Sequence, residues 1–358
     1  MSMCFLVSIL LLQTALLDAA NWKFAVYGDT RPGNSYDHSQ NVYAITYKIP
    51  NSERVLVLNT GDLTWDGTTA QWSSFMQIIQ PLNINWALTN PPQYLSAVGN
   101  HDVHDANWAA NWAFNLSAQK GLSAYAGIAA DPQGLYGSVK YENALFMWVN
   151  AIQPDAAQET FIEKTLIQAA VDPQIIWRFV VFHRPPVRCG GTHADYSTGK
   201  LWHDKYLQPY GVDIIFLGDN HYYERTCPFK AGLAATSDST DKTPYCDELN
   251  RGNYVVNSKG VIHIVAGGGG AEIENDTPTA QCGWLESNFL VASLHHFLEI
   301  EIAGPFLRGR VWDTDTGVGT TPQLSPGTDF QLIDEFTVQK GPAAPSPPRA
   351  PANLKIIR

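Results

Sequence analysis

Short apolar runs alternate with amphipathic stretches through the first two-thirds of this chain. The runs at 23–28, 54–59, 94–98, 144–150, 176–182 and 212–217 are rich in β-branched and aromatic residues and predict strands. Between them, 38–48, 70–80, 107–119 and 157–170 carry apolar residues at helical spacing. Strands separated by helices imply βαβ crossovers and a largely parallel sheet. After Val255 the pattern changes: 260–266, 294–303, 306–313 and 330–339 predict strands joined by turns without helices, hence a second sheet, mixed or antiparallel. Residues 341–352, GPAAPSPPRAPA, are Pro/Ala-rich and predict an extended tail over 341–358.

The polar residues that close the apolar runs are chemically distinctive. FAVYGD ends at Asp29, VLVLNTGD at Asp62, RFVVFH at His183, and IIFLGDNH carries Asp219 and His221. A fifth segment, GNHD, supplies Asn100, His101 and Asp102 after the only modestly apolar YLSAV. Any one of these alone is an ordinary turn, since Gly-Asp and Asx turns commonly close strands. In ordered series they place carboxylates, an amide and imidazoles at strand ends, the edge on which α/β sheets build their sites. Such a mixed O/N set suits a centre of two divalent ions, Zn, Fe or Mn, bridged by one carboxylate and able to activate water and clamp an ester.

With 358 residues the chain is long enough for one large α/β domain with a substantial core. Its net charge of −11, without a basic stripe, excludes a nucleic-acid footprint. That charge would also repel anionic substrates unless bound cations reversed the local field. Residues 1–20, MSMCFLVSILLLQTALLDAA, have the length and small-residue close of a secretory signal. Gln13 and Asp18 shorten the apolar run below membrane-spanning length, so the expected location is secreted or vacuolar/lysosomal, with no span in the mature chain. Removing that segment leaves Cys189, Cys227, Cys246 and Cys282, an even number suited to two disulfides with three possible pairings. Cys227 and Cys246 flank a polar loop and are the preferred pair, leaving Cys189 with Cys282; four buried free thiols are the alternative. Asn115 and Asn275 stand in glycosylation sequons.

The ordered motifs resemble those of the calcineurin-like metallophosphoesterases, and within them the purple acid phosphatase branch. That branch carries GD, GDxxY, GNHE or GNHD, a strand-terminal His, and GHxHxYER. Here the corresponding residues are Gly28-Asp29, Gly61-Asp62-Leu63-Thr64-Trp65, Gly99-Asn100-His101-Asp102, His183 and Gly218-Asp219-Asn220-His221-Tyr222-Tyr223-Glu224-Arg225. Phe161–Leu166 and the glycine run Gly267–Gly270 are further echoes, and the resemblance covers about residues 23–313. It implies a four-layer α-β-β-α sandwich of two mixed sheets spanning 21–340, with the metal site at the strand C-terminal ends. Asp62 would bridge the metals, Asp29 and His221 would complete one shell, and Asn100, His183 and Asp219 the other. His101 would contact phosphate or protonate the leaving group, and Asp102 would orient it. His193 would face substrate, Glu224 and Arg225 would brace the site, and His295 and His296 would be structural. Arg31, by the chemistry of its guanidinium rather than by the family pattern, would contact a substrate phosphate or else pair with a surface carboxylate.

Two departures from the family pattern bear on chemistry. Trp65 stands where the branch has a metal-binding Tyr, and an indole offers no ligand oxygen. Asp219 stands for the first His of GHxH, exchanging an imidazole for a carboxylate that would weaken a bound metal as a Lewis acid. The resemblance implies a secreted phosphatase acting on small phosphomonoesters by attack of a metal-bound hydroxide. The alternatives are a phosphodiesterase or nucleotidase, and a secreted binding protein on a catalytically weakened scaffold.

Overall fold

Both faces of the central strands are apolar, so each strand is expected to lie between two packed layers. In β1 (Trp22–Tyr27), Phe24 and Val26 point to one side while Ala25 and Tyr27 point to the other, and all four are buried. The computed structural model describes residues 21–31, 35–85, 93–116, 119, 125–190, 193–249, 253–254, 259–274, 282–286, 292–315 and 330–341. The expected leader at 1–20, the tail from 342 and the Asn275 sequon lie outside the described residues.

β2 (Arg54–Asn59) and β3 (Gln93–Ser96) follow β1 in parallel, linked through α1 (Ser35–Lys48) and α2 (Thr69–Ile78). Thr68 caps α2 by accepting from Gln71 N, and the helix buries Trp72 and Phe75. After α3 (Trp108–Asn115) the chain starts another sheet with β4 (Gly137–Tyr141) and β5 (Ala144–Trp148). Next comes α4 (Ala156–Val171), capped by Asp155, which accepts from Gln158 N at 2.7 Å. Phe161, Ile162, Thr165, Leu166 and Ala169 form its buried stripe. β6 (Trp177–Val181), α5 (Ser197–Trp202), β7 (Ile214–Leu217), β8 (Tyr223–Arg225), β9 (Asn253–Tyr254) and β10 (Ile262–Ala266) come next along the chain. A closing meander contains β11 (His296–Ala303), β12 (Phe306–Asp313) and β13 (Leu332–Gln339).

The strands form a seven-stranded sheet ordered β3-β2-β1-β11-β12-β13-β9 and a six-stranded sheet ordered β4-β5-β6-β7-β10-β8. Both are mixed, and they stack on a shared core that includes Phe24, Leu58, Phe146, Phe179, Phe216 and Ile300. α1 to α3 cover the outer face of the first sheet and α4 and α5 that of the second, giving the expected α-β-β-α sandwich. The partition of strands corrects one expectation. The late strands do not make a sheet of their own: β11 pairs antiparallel with β1, and β10 pairs parallel with β7. Apolar periodicity reports burial on both faces of a strand and carries no information on its edge partners. Among the described residues no helix is long and apolar enough to cross a membrane.

The two disulfides are Cys227–Cys246 and Cys189–Cys282, the preferred pairing. Both sit in a satellite core with Val187, Phe229, Leu233, Trp284 and Leu285.

Candidate metal centre

The predicted groups follow the carboxyl ends of β1, β2, β3, β6 and β7: Asp29, Asp62 and His183 after β1, β2 and β6, Asn100, His101 and Asp102 after β3, and Asp219 and His221 after β7. Asp29, Asp62 and Asp219 all have left-handed backbone, with φ of 56°, 54° and 68°. This conformation is uncommon for residues with a side chain, though tolerated by Asp, and it turns each carboxylate back over the strand ends. The glycines of the motifs make the convergence possible. A Cβ on Gly99 would lie 2.1 Å from both Asp62 N and Asp62 Oδ1, and one on Gly61 would lie 2.7 Å from His183 Nδ1. The run Gly267–Gly270 backs Asp29: Gly269 N donates to Gly28 O at 2.8 Å, and Ala271 N donates to Asp29 O at 2.8 Å.

Both imidazoles are held by one device. His183 Nδ1 lies 3.0 Å from Thr60 O and His221 Nδ1 lies 2.6 Å from Glu272 O. A carbonyl only accepts, so each Nδ1 carries the hydrogen and each Nε2 lone pair faces the site, the arrangement that orients metal-ligating histidines. His183 Nε2 lies 3.0 Å from Asn100 Oδ1 and 3.4 Å from both Asp62 Oδ1 and Asp219 Oδ1. A lone pair facing three oxygens is repulsive unless a cation or proton lies among them. Asp29, Asp62 and His183 bring ligand atoms within 4.8 Å of one another, and buried Asp29 Oδ2 has no hydrogen-bond partner among the described residues.

The electrostatics carry the same demand for positive charge. Burial works to lower the His183 pKa, but Asp62, Asp219 and Asp29 outweigh it and raise the group to about 10. Burial likewise opposes ionisation of Asp219, yet contact with His183 holds it down to about 2. Asp29 is pushed well above the usual carboxylate range, by burial first and then by Asp62 and Asp219 against the pull of His183. The donor set therefore fits a divalent ion at Asp62, Asn100, His183 and Asp219, with Asp29 beside it.

Around this cluster, His221 Nε2 lies 3.7 Å from Asp29 Oδ1. Arg31, with an 11% exposed side chain, lies inside the site. Its Nη2 is 2.8 Å from His221 Nε2, its Nη1 contacts His101 Nε2, and its Nε is 3.8 Å from Asp62 Oδ2. The guanidinium carbon stacks 4.7 Å over the ring of half-exposed Trp65. Burial and then Arg31 lower the His221 pKa to about 4; burial first, with Arg31 also contributing, lowers that of His101.

His101 N donates to Asp62 Oδ1 at 2.9 Å, and His101 Nδ1 lies 3.0 Å from the Trp65 carbonyl. The expectation that Asp102 orients His101 is corrected. Asp102 Oδ1 accepts from Thr64 N and Thr64 Oγ1 at 3.0 and 3.2 Å, and Oδ2 accepts from Gly99 N at 2.9 Å. It ties the GNHD turn to the loop after β2, and the Trp65 carbonyl orients the imidazole. His193 stands at the rim, its side chain 41% exposed, with Nδ1 3.9 Å from Asp219 Oδ2 and Nε2 3.8 Å from Glu274 Oε1. Glu224 Oε2 accepts from Cys189 N at 2.8 Å, and Arg225 pairs with Asp334. His296 is buried at the start of β11, and His295 pairs with Asp315 at 2.7 Å. The carbonyls of Thr60, Glu272 and Trp65 were missed, because a backbone acceptor leaves no signal in residue type.

The model of the calcineurin-like phosphoesterase family matches residues 23–223, more than half of the chain. The Arabidopsis thaliana protein named "Probable inactive purple acid phosphatase 27" is 26% identical over 279 residues, 70% of this chain and 39% of that one. "Probable inactive purple acid phosphatase 1" from the same plant is 29% identical over 243 residues, 60% of this chain and 34% of that one. The chain thus spans well under half the length of these relatives. Among solved structures, a purple acid phosphatase from yellow lupin (Lupinus luteus) seeds superposes with a TM-score of 0.61 at 21% identity. The match covers 90% of this chain and 54% of the lupin chain and shows a shared fold.

Proposed function

The chain belongs to the calcineurin-like phosphoesterase family, and we propose that it is a secreted, metal-dependent phosphoesterase that hydrolyses phosphomonoesters. The observation that carries this reading is His183 Nε2 facing Asn100, Asp62 and Asp219 oxygens at 3.0 to 3.4 Å. Asp62, Asn100, His183 and Asp219 would hold a divalent ion, Zn, Fe or Mn, and Asp29, Asp62 and His221 are the groups that remain for a second. A divalent ion there supplies Lewis-acid polarisation of a phosphoryl oxygen and a water nucleophilic at neutral pH.

The chain's own residues do the rest. Arg31 directs a permanently charged fork into the site, suited to the equatorial oxygens of a phosphoryl group. His101, fixed through Nδ1 by the Trp65 carbonyl, turns Nε2 to Arg31 and the site; once a phosphoryl group draws the guanidinium onto its own oxygens, Nε2 is released to take up a proton and pass it to the leaving oxygen. The charge of a bound dianionic ester raises the pKa of this imidazole and loads it with that proton. In the overall step the phosphorus–oxygen ester bond breaks, a phosphorus–oxygen bond to water forms, and water's proton ends on the alcohol. The two disulfides suit the oxidising surroundings of an exported protein.

A second reading, a phosphate-ester-binding protein with little turnover, is favoured by Trp65 in place of a ligand tyrosine. Chelator-sensitive release of p-nitrophenol from p-nitrophenyl phosphate supports the enzyme. A fully metal-loaded protein that cleaves neither mono- nor diesters establishes the binding protein instead.

A further inference from the structure

Resting on the metal-dependent reading above, we propose that the site holds one divalent cation and that the Arg31 guanidinium is the resident positive charge where a second ion would sit. Of the groups left for that second ion, Asp29 keeps one oxygen, Oδ2, without a hydrogen-bond partner among the described residues, while His221 and Asp62 are already engaged. His221 gives its Nδ1 hydrogen to Glu272 O, so Nε2 is its one remaining lone pair, and that atom accepts from Arg31 Nη2 at 2.8 Å. Asp62 divides its oxygens: Oδ1 faces His183 and accepts from His101 N, while Oδ2 faces Arg31 Nε at 3.8 Å. His101 Nε2 is taken by Arg31 Nη1. The neighbouring Trp65 side chain has no oxygen to offer and lays its ring against the guanidinium at 4.7 Å.

A guanidinium has five donors and no acceptor and stays protonated throughout the physiological range. It can neutralise carboxylate charge but cannot share its space with a metal, and an imidazole lone pair that accepts from it cannot also ligate one. The Asn100–His183–Asp219 side differs, because there His183 Nε2 and three oxygens meet and, among the described residues, no guanidinium hydrogen-bonds any of them. One ion and one guanidinium on opposite oxygens of Asp62 would form a two-pole clamp for a tetrahedral oxyanion.

The test is metal stoichiometry, read independently of turnover. The full chain is stripped of metal, titrated with Mn²⁺, and its bound metal counted by mass spectrometry after gel filtration, with electron paramagnetic resonance on the same samples. The wild type is expected to bind one equivalent with the six-line signal of an isolated ion. Arg31→Ala frees His221 Nε2, His101 Nε2 and Asp62 Oδ2, and is expected to bind two equivalents with an exchange-coupled signal. Arg31→Gln, neutral and closer in size, is measured beside it in case the smaller residue misfolds. Two equivalents in the wild type, or one in both variants, overturns the proposal while leaving the metal-dependent reading intact. No bound metal in any of the three proteins overturns both.

Discussion

Arg225 on β8 and Asp334 on β13 form a fully buried two-point ion pair that joins the edge of one sheet to the other. Nε donates to Oδ2 at 2.9 Å and Nη2 to Oδ1 at 3.2 Å, and Tyr223 Oη donates to the same carboxylate at 2.6 Å. The strand carrying this arginine directly follows His221, so the pair helps to fix that end of the site.

Breaking this pair from one side should be far more damaging than replacing it whole. Asp334→Ala leaves a buried guanidinium without its counter-charge and is expected to cost about 3–5 kcal/mol in urea unfolding. A double variant, Arg225→Met with Asp334→Leu, should recover most of that loss. Equal stability of the single variant and the wild type would show that the pair does not hold the sheets.

The roles of Asp62 and His101 separate by pairing metal content with rate. Asp62→Asn removes the charge shared by His183, Arg31 and the His101 amide, and should lose both bound metal and hydrolysis. His101→Ala removes a proton donor and should lower kcat by about 10²–10⁴-fold with metal content unchanged. Full activity in Asp62→Asn means that the assignment of the site is wrong.

Gly99 offers a test that alters no ligand. A Cβ there would strike the backbone nitrogen and Oδ1 of Asp62 at 2.1 Å, and neither can swing aside without moving the turn. Gly99→Ala is therefore expected to destabilise the fold by about 1–3 kcal/mol, as overpacking does. Metal affinity should fall by about 10–100-fold, as when a ligand loses its support. Unchanged melting and unchanged metal titration together would show that the turn has room to give.

Much of this site was legible because four of its five motifs close an apolar run: Val26 and Tyr27 precede Gly28-Asp29, and Phe216 and Leu217 precede Gly218-Asp219. Burial of both strand faces and a polar group at the strand end are local properties, and sequence records them. Pairing is not local. β11 lies beside β1 through pairings such as Phe24 with Ile300, which join residues far apart in the sequence. β4 went unpredicted because its GSVKY is short and partly exposed, without a sustained apolar run. Arg31 was legible as a candidate for phosphate but not as a partner of two imidazoles. Its position depends on the left-handed turn at Asp29 and on His221, which lies 190 residues away.

Buried neutral histidines should make the fold acid-sensitive. Burial alone lowers the His38 pKa to about 3, whereas an unfolded imidazole titrates near 6.5, at about its ordinary value. Between those values the unfolded chain binds the extra proton. The contribution of His38 is therefore intact above pH 6.5 and is lost as pH falls toward 3, at up to about 1.4 kcal/mol per pH unit. Burial acts in the same direction on His203 and His296, both lowered to about 4, with weaker opposing contacts. Glu224 opposes them: burial raises it to about 8, so it favours folding as pH drops through that range. His38→Gln can keep the bond to Tyr27 Oη, 3.3 Å from Nε2, and should flatten the slope of unfolding free energy between pH 6 and 4. An unchanged slope would mean that His38 is already protonated in the native state.

The disulfides make the last prediction, and loop length sets its order. Cys189–Cys282 closes a loop with a sequence separation of 93 and Cys227–Cys246 one of 19, nested within it. By chain entropy the longer loop restrains the unfolded state more, about 4.7 kcal/mol for a loop near 100 residues against about 3 for one near 15. Both bridges lie in the satellite core with Phe229 and Trp284, away from the residues between the sheets, so their loss should leave the sandwich folded. Paired Cys→Ala substitutions should therefore each lower Tm with near-native far-UV circular dichroism, the 189/282 pair by more. The 189/282 bridge also anchors the segment whose Cys189 N donates to Glu224 Oε2, three residues beyond His221, so freeing that segment should in addition weaken metal binding. Equal Tm losses, or a larger loss for the shorter loop, would mean that native packing around the bridge outweighs the restraint on the unfolded chain.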